Sequence, residues 1–303
     1  ICYGMTADHV HSMDVVLADG TRTSFGNLDE AAFRARVGQP GLEGRIHAGL
    51  SAMLANDGAR RIIQEDTPKH WRRCGGYNLD RLVQEELSFR LPHPEGRNLA
   101  RIVCGAEGTL ALIESVTLDL VPLPKQTGLA IVHFDDIVQA LETVQLILES
   151  DPSAVELLDH LGMSMCRQSP MWRKKLEQFV EGEPNCILIT EFQGETQEEI
   201  RSRIDSLEEL LRRQGAPFTR IVSVVDESGQ ADVWSVRKMG LGFLMSVRGD
   251  HKPIPFIEDA AVPVQHLAEY VTDVERFCND RGLQVAYYAH ASAGCVHIRP
   301  MVN

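Results

Sequence analysis

Several function classes are excluded by what the sequence lacks. Its seven cysteines, Cys2, Cys74, Cys104, Cys166, Cys186, Cys278 and Cys295, are odd in number and form no CxxC pair. That spacing offers no disulfide scaffold, no zinc knuckle and no iron–sulfur run, all of which need paired or closely spaced thiols. Idle thiols in a reducing cytosol are the expectation, which makes the chain cytoplasmic. No apolar run reaches the ~18 residues of a spanning helix, so no membrane span is expected. Basic residues are scarce, 30 Lys and Arg against 43 Asp and Glu, giving a formal charge of −13 and a pI near 5.3. A nucleic-acid or anionic-membrane partner needs a basic face, so neither is expected. There is no initiator Met or signal peptide before Ile1, and a strand-like run at Val296–Pro300 continues to Asn303, so the chain reads as an internal segment of a longer protein. No internal repeat or low-complexity tract stands out.

What is present suits a folded protein of two ordinary domains: 303 residues, 44% apolar and 24% charged. Acidity on average does not forbid an anionic substrate, because a few basic side chains in one cleft outweigh it locally. Met13–Leu17 ends at Asp19-Gly20, the dipeptide of a tight reversal, and predicts a hairpin. From Asn27 to Arg72 the pattern turns helical, with Ile46, Leu50, Met53 and Leu54 on one face, and reads as an insertion. A short helix follows Tyr77, with Asn78 or its neighbour as cap, and a strand spans 111–120 before Pro122 and Pro124. The domain boundary is therefore placed at residue 124. Beyond it, strands (129–134, 154–158, 186–192, 219–225, 256–262, 284–290) alternate with helices (136–149, 160–167, 196–214, 230–247, 263–281), which predicts helices packed on a sheet.

Four groups of residues carry candidate chemistry. Cys104-Gly105-Ala106-Glu107-Gly108-Thr109-Leu110 places two glycines three apart, which lets backbone N–H groups approach a pyrophosphate or flavin ring. A plain helix-to-strand turn explains them too, and the pattern is neither GxGxxG nor a Walker loop. His290 and His297, on strand-like flanks around Ala291–Gly294, can share one metal ion or be unrelated strand residues. Arg237, in Trp234-Ser235-Val236-Arg237-Lys238, can grip a carboxylate beside an aromatic or lie on the surface in a salt bridge. Glu258-Asp259 can bind metal or orient a base; alternatively Asp259 braces the turn before Pro263. Arg248, His251 and Lys252 form a basic patch that a solvated loop explains equally well.

In order, Tyr3–Asp8, Val15–Gly20, Gly76–Leu79, Cys104–Leu110, Trp234–Arg237 and His290–Arg299 resemble the FAD-linked oxidases of the vanillyl-alcohol oxidase type. Glu258–Pro263 and Gly294–Pro300 are most similar to the large bacterial D-2-hydroxyglutarate dehydrogenases that join this flavoprotein to an iron–sulfur domain. The resemblance implies an α+β fold: residues 1–124 are the later part of an FAD-binding domain with a helical insertion at about 27–72. Residues 125–303 are then a substrate or cap domain with helices on a mainly antiparallel sheet, truncated at its end. It implies that Gly105, Glu107, Gly108 and Thr109 lie near FAD, that His290 and His297 bind zinc or manganese, and that Arg237 holds the substrate carboxylate. The implied reaction is oxidation of a D-2-hydroxy acid, D-2-hydroxyglutarate by preference and D-lactate or glycolate otherwise, by hydride transfer to FAD.

The sequence also departs from that pattern. The family's glycine-rich pyrophosphate loop is not found, and neither is the further metal carboxylate with its neighbouring catalytic histidine, expected downstream of the second metal histidine. The iron–sulfur cysteines are absent as well, so that cluster is assigned to the rest of the parent protein and the electron acceptor stays open. Where smaller relatives hold substrate with a hydroxyl residue and a lysine, this sequence has Leu241 and Ile257, with Lys252 the candidate replacement. A non-catalytic binding or assembly fragment that contacts a partner or a second copy, as a homo-oligomer, through the cap and the helical insertion is the alternative from another class.

Overall fold

The computed structural model describes residues 2–70, 72–73, 75–83 and 96–303, without the side chains of Leu241 and Met245. Cys74 lies outside the described residues. The chain divides into two compact units, Tyr3–Pro122 and one built on Leu123–Asn303.

In the first unit β1 (Val10–Val16) and β2 (Arg22–Phe25) form the expected hairpin, with Met13 opposite Phe25 and Val16 opposite Arg22. Gly20 takes φ +85° and Asp19 accepts from Thr21 N at 3.0 Å, as a reversal after an Asp-Gly pair requires. A two-residue strand β3 (Asn27–Leu28) leads into α1 (Glu30–Val37), α2 (Gly41–Ala55) and α3 (Asp57–Asp66). Short elements β4 (Arg97–Asn98) and α4 (Ala100–Val103) precede β5 (Leu112–Leu118), which pairs antiparallel with β1. Val10, Met13, Val15, Phe25, Phe33, Leu99 and Ala100 make the core between this sheet and the helices. One expectation fails here: Asn78 caps no helix, since only a 3₁₀ turn, Leu79–Leu82, follows it. Its amide instead donates to Cys104 O at 2.9 Å and Arg101 O at 3.2 Å. Two carbonyls left unpaired where α4 ends claim the side chain more strongly than a single turn would.

The second unit begins with β6 (Gln126–Phe134), α5 (Ile137–Leu148) and β7 (Ala154–Asp159). Helices α6 (His160–Gln168) and α7 (Pro170–Leu176) precede β8 (Cys186–Gly194), α8 (Gln197–Arg213) and β9 (Arg220–Val224). Then come α9 (Glu227–Met245), β10 (Lys252–Pro253), β11 (Ile257–Ala261), α10 (Leu267–Asn279), β12 (Val285–His290) and β13 (Cys295–Val302). The sheet order is β10-β13-β12-β7-β8-β6-β9, with β11 also on β13, and every pairing is antiparallel. Strands β6 to β9 with α5 and α8 form a split βαβ arrangement of the ferredoxin-like kind, extended at its β7 edge by the last four strands.

Strand alternation sends neighbouring residues to opposite cores. Ala130, Val132, Val155, Leu157, Leu188, Ala289, Val296 and Ile298 pack under α5, α8 and α10. Leu129, Ile131, Leu158, Ile187 and Ile189 pack under α6, α7 and α9. Side-chain oxygens of Asp136, Asp159, Thr196 and Asp226 accept the first free N–H groups of α5, α6, α8 and α9, fixing where each starts. The fold class read from sequence is therefore the one found.

Two details differ from the expected elements. The helix expected from 263 starts as a 3₁₀ turn, Val264–His266, after Pro263, and becomes α-helical only at Leu267. Asp259 does not brace the turn before Pro263; it stands in β11 at φ +51°, where the register with β13 slips between Ile257 and Ala260. That irregularity turns the carboxylates of Glu258 and Asp259 toward β13.

Candidate active site

Register brings the two histidines together. His290 ends β12, and β13 pairs Tyr288 with His297 and Ala286 with Arg299. On β7, Glu156 stands opposite His290 and Leu158 opposite Tyr288. Residues two apart on a strand share a face, so Glu156, Tyr288, His290, His297 and Arg299 all lie on the sheet face that α9 covers. The His290 and His297 rings meet edge to face with centroids 5.4 Å apart. They are not unrelated strand residues.

Each imidazole is held by a carboxylate through Nδ1. Glu156 lies 2.8 and 3.0 Å from His290 Nδ1, and Glu258 lies 2.6 Å from His297 Nδ1. A carboxylate on Nδ1 fixes that nitrogen as the protonated one and leaves Nε2 as the lone-pair donor, the arrangement by which proteins orient metal-binding histidines. Two imidazoles on one tetrahedral ion, with Zn–N of about 2.0–2.1 Å, have centroids roughly 5 Å apart, so the pair fits a divalent metal ion. Burial holds the His297 imidazole below the usual histidine range, against the upward pull of Glu258, and so favours the neutral ligand form.

A second possible donor set, Asp259, Cys295 and His297, brings its ligand atoms within 4.8 Å of one another. It fits a resident ion less well. His297 Nδ1 is already bound to Glu258, and Cys295 Sγ lies 3.7 Å from Asp259 Oδ1, where it donates a weak hydrogen bond. Burial also leaves Cys166 and Cys186 far from the thiolate form, which agrees with thiols that are structural.

Arg237 reaches this face from α9. That helix is seated by Gln230, whose amide donates to Thr127 O and Val225 O at 3.0 Å. The Arg237 side chain is only 12% exposed and its Nη2 donates to Glu156 at 3.0 Å, so it is no surface salt bridge. Its guanidinium lies 4.9 Å from the centroid of Tyr288. The aromatic beside it is thus Tyr288 and not Trp234, which packs with the core under α6, α7 and α9. The buried Nε–H of Arg237 meets no acceptor among the described residues, and a ligand carboxylate would supply one.

Sequence reasoning missed Glu156, Tyr288 and Arg299. Arg299 is buried, pairs with Glu258, and lies 5.7 Å from the Tyr288 centroid, while His297 stacks on that ring at 4.3 Å. The period-two spacing of Tyr288 with His290, and of His297 with Arg299, was the available signal; Glu156 had none. Lys252 is not brought into this group. It stands exposed on β10, and its Nζ donates to Val247 O at 2.6 Å.

In the first unit, Gly105 lines a cavity of about 460 Å³ together with Gly4–Ala7, Arg72, Arg73, Gly76, Asn78 and Cys104. Gly105 and Gly108 take φ of +83° and +75°, and Glu107 takes +52°. A Cβ at Gly105 would come no closer than 4.0 Å to any atom, so its positive φ, not crowding, calls for glycine. Thr109 donates to Ala106 O at 2.5 Å and bonds Tyr77 OH at 3.0 Å. Arg81 is fully buried and donates to Asp8 at 2.7 Å and to Asp80, which also pairs with the cavity-lining Arg73. Open backbone and two arginines at one cavity suit an anionic, flat cofactor such as FAD. Glu107, Gly108 and Thr109 continue the turn beyond the cavity lining.

Comparison with known proteins agrees with this architecture. The chain is 29% identical over 310 residues to a D-2-hydroxyglutarate dehydrogenase of Pantoea ananatis, covering 100% of this chain and 30% of that protein. It is 23% identical to a D-lactate dehydrogenase of Archaeoglobus fulgidus, covering 98% of this chain and 64% of the relative. Among solved structures, p-cresol methylhydroxylase with substrate bound superposes with a TM-score of 0.55 at 13% identity, covering 99% of this chain and 53% of the other. The chain thus spans about 30% of the length of the D-2-hydroxyglutarate dehydrogenases it matches. No helix among the described residues is long and apolar enough to cross a membrane. Residues 123–303 match the family described as FAD linked oxidases, C-terminal domain, and the chain belongs to that family.

Proposed function

We propose that the full-length protein oxidises a D-2-hydroxy acid, D-2-hydroxyglutarate by preference, to the 2-oxo acid with FAD as hydride acceptor. The observation that carries this reading is the shared carboxylate of Glu156, which binds both the imidazole of His290 and the guanidinium of Arg237. A metal-binding group and a carboxylate-binding group are thereby held side by side, as a 2-hydroxy acid requires. His290 and His297 hold zinc or manganese through Nε2, and Arg237 fixes the substrate carboxylate. When bound, the ion would lower the pKa of the 2-hydroxyl and FAD would supply the hydride acceptor for C2. Tyr288 packs against both groups, with the His297 imidazole stacked on its ring and the Arg237 guanidinium 4.9 Å from its centroid. Gly105, Glu107, Gly108 and Thr109 lie against the flavin. An iron–sulfur centre outside this chain carries the electrons away, and the protein works in the cytoplasm.

Steady-state assays of the full-length protein on D-2-hydroxyglutarate, D-lactate and glycolate test this reading. The expected result is the highest kcat/KM for D-2-hydroxyglutarate, lost by at least about 10²-fold in His297→Ala. Unaltered turnover in that variant would contradict it.

A further inference from the structure

We propose that the second unit carries a separate binding site for a small organic cation, a primary ammonium group on a short hydrocarbon body, built around the hydroxyl of Tyr287. A cavity of about 290 Å³ is lined by residues of α10, of the β7–α6 junction and of the stretch leading into β12. Tyr287 lines it and belongs to the core under α5, α8 and α10, whereas its neighbour Tyr288 stacks on His297. Neighbouring strand residues face opposite ways, so the sheet separates this cavity from the candidate active site. Tyr287 is only 4% exposed, yet its hydroxyl meets no partner among the described residues. Buried hydroxyls are rarely left so, and this one is placed to bond a molecule that enters the cavity.

The charge around that hydroxyl selects the sign of the ligand. Among the described residues that line the cavity, Asp159 is buried and Glu275 half-buried, while the one basic side chain, His160, is exposed. Burial, and then the nearby Asp136, push the Glu275 carboxyl above its usual range; burial, Glu275, Cys278 and Asp159 push the Tyr287 phenol up. A cation among these groups reverses both shifts. The N-termini of α5 and α6 also lie here, but Asp136 and Asp159 cap them, so the negative charge that each end attracts is already in place. A bare metal ion fits less well. Both Asp159 oxygens are committed, to Gly162 N and Tyr287 N, which leaves Glu275 as the one carboxylate in the lining without a bonded partner among the described residues. Hard divalent ions take about six oxygens, whereas an ammonium group needs three acceptors and finds them in a phenol and carboxylates. Ile137, Leu161, Leu283 and Val285 supply apolar wall for a hydrocarbon body.

Isothermal titration calorimetry of the full-length holoenzyme with n-butylammonium, 1-butanol and Mg²⁺ tests the assignment. Butylammonium is expected to bind saturably, one per chain, and 1-butanol, of the same length but uncharged, at least about 10-fold more weakly. Tyr287→Phe and Glu275→Gln each weaken the ammonium by about 10-fold. Thermal unfolding separates this role from a structural one. Without ligand Tyr287→Phe is expected to melt no lower than the wild type, because its hydroxyl has no partner to lose, and butylammonium raises the Tm of the wild type more than that of the variant. Should one variant fail to fold, the other and the comparison with the alcohol decide. No saturable binding to the wild type, or an affinity unchanged in both variants, would overturn the inference. So would a ligand-free Tyr287→Phe less stable than the wild type, which marks a hydroxyl satisfied within the protein. Binding of Mg²⁺ that Glu275→Gln abolishes, with none of butylammonium, would overturn it in favour of a metal site.

Discussion

Glu156 is the residue on which the candidate site turns. It is nearly buried, carries no motif, and holds His290 and Arg237 with its two oxygens. Glu156→Gln keeps the shape but can hold only one partner through an acceptor. Metal affinity is therefore expected to fall about 10–100-fold, measured by competition with a chelator, while flavin content is retained. A variant that binds metal as the wild type does would remove Glu156 from the site. His290, His297 and Arg237 were legible in the sequence because each sits in a short, ordered phrase. Glu156 was not, because its partners lie 134 and 81 positions away and only the β7–β12 register and the seating of α9 join them. Asp259 was misread as a turn brace because nothing local announces the positive φ that turns it toward β13.

At the scale of elements, the sheet and its helices were largely legible, since burial on both faces writes continuous apolar strands and amphipathic helices. The exceptions have local causes. Helix α7, seven residues set off by Pro170, is too short to show periodicity. The close seating of α8 on β6 depends on Gly128, where an added Cβ would lie 2.3 Å from Ile200 Cγ2. Gly128→Ala is expected to destabilise the second unit by about 1–3 kcal/mol in denaturant unfolding, as overpacking does. Asp159 caps α6 through Gly162 N at 2.8 Å and accepts Tyr287 N at 2.7 Å, a backbone tie between α6 and β12. Burial nevertheless pushes its carboxyl up to about 6. The folded value thus exceeds the unfolded one, so the stability it contributes is fully present below pH ~4 and lost as pH rises through about 6. Stability measured from pH 4 to 7 should therefore shift in favour of Asp159→Asn, relative to wild type, by on the order of 2–3 kcal/mol. A constant difference across that range would show that Asp159 does not titrate there.

For the whole molecule, composition said least: a formal charge of −13 excludes basic-face partners but says nothing of where two arginines and two glutamates gather. Order along the chain said more, because the family phrases at both ends of the sequence imply the fold that the sheet topology then displays. What neither revealed is that the strand expected over 111–120, β5, stands at the edge of its sheet with Leu112, Ile113, Val116 and Leu118 all exposed. An apolar edge of this kind promotes pairing between chains. The 303-residue chain expressed alone is expected to self-associate in size-exclusion chromatography, and Ile113→Lys with Val116→Lys to shift it toward monomer. An elution volume unaffected by both substitutions would show that β5 plays no part.

The central claim is that a 2-hydroxy acid reduces the flavin at a site where His290 and His297 hold a metal ion. Anaerobic mixing of the full-length holoenzyme with D-2-hydroxyglutarate, followed through the flavin's visible absorption, tests it most directly. The account predicts rapid bleaching in the wild type, its loss in His290→Ala or after metal removal, and its return when zinc or manganese is restored to the metal-free wild type. Bleaching at the same rate with and without metal would contradict the account, as would a flavin that no 2-hydroxy acid reduces.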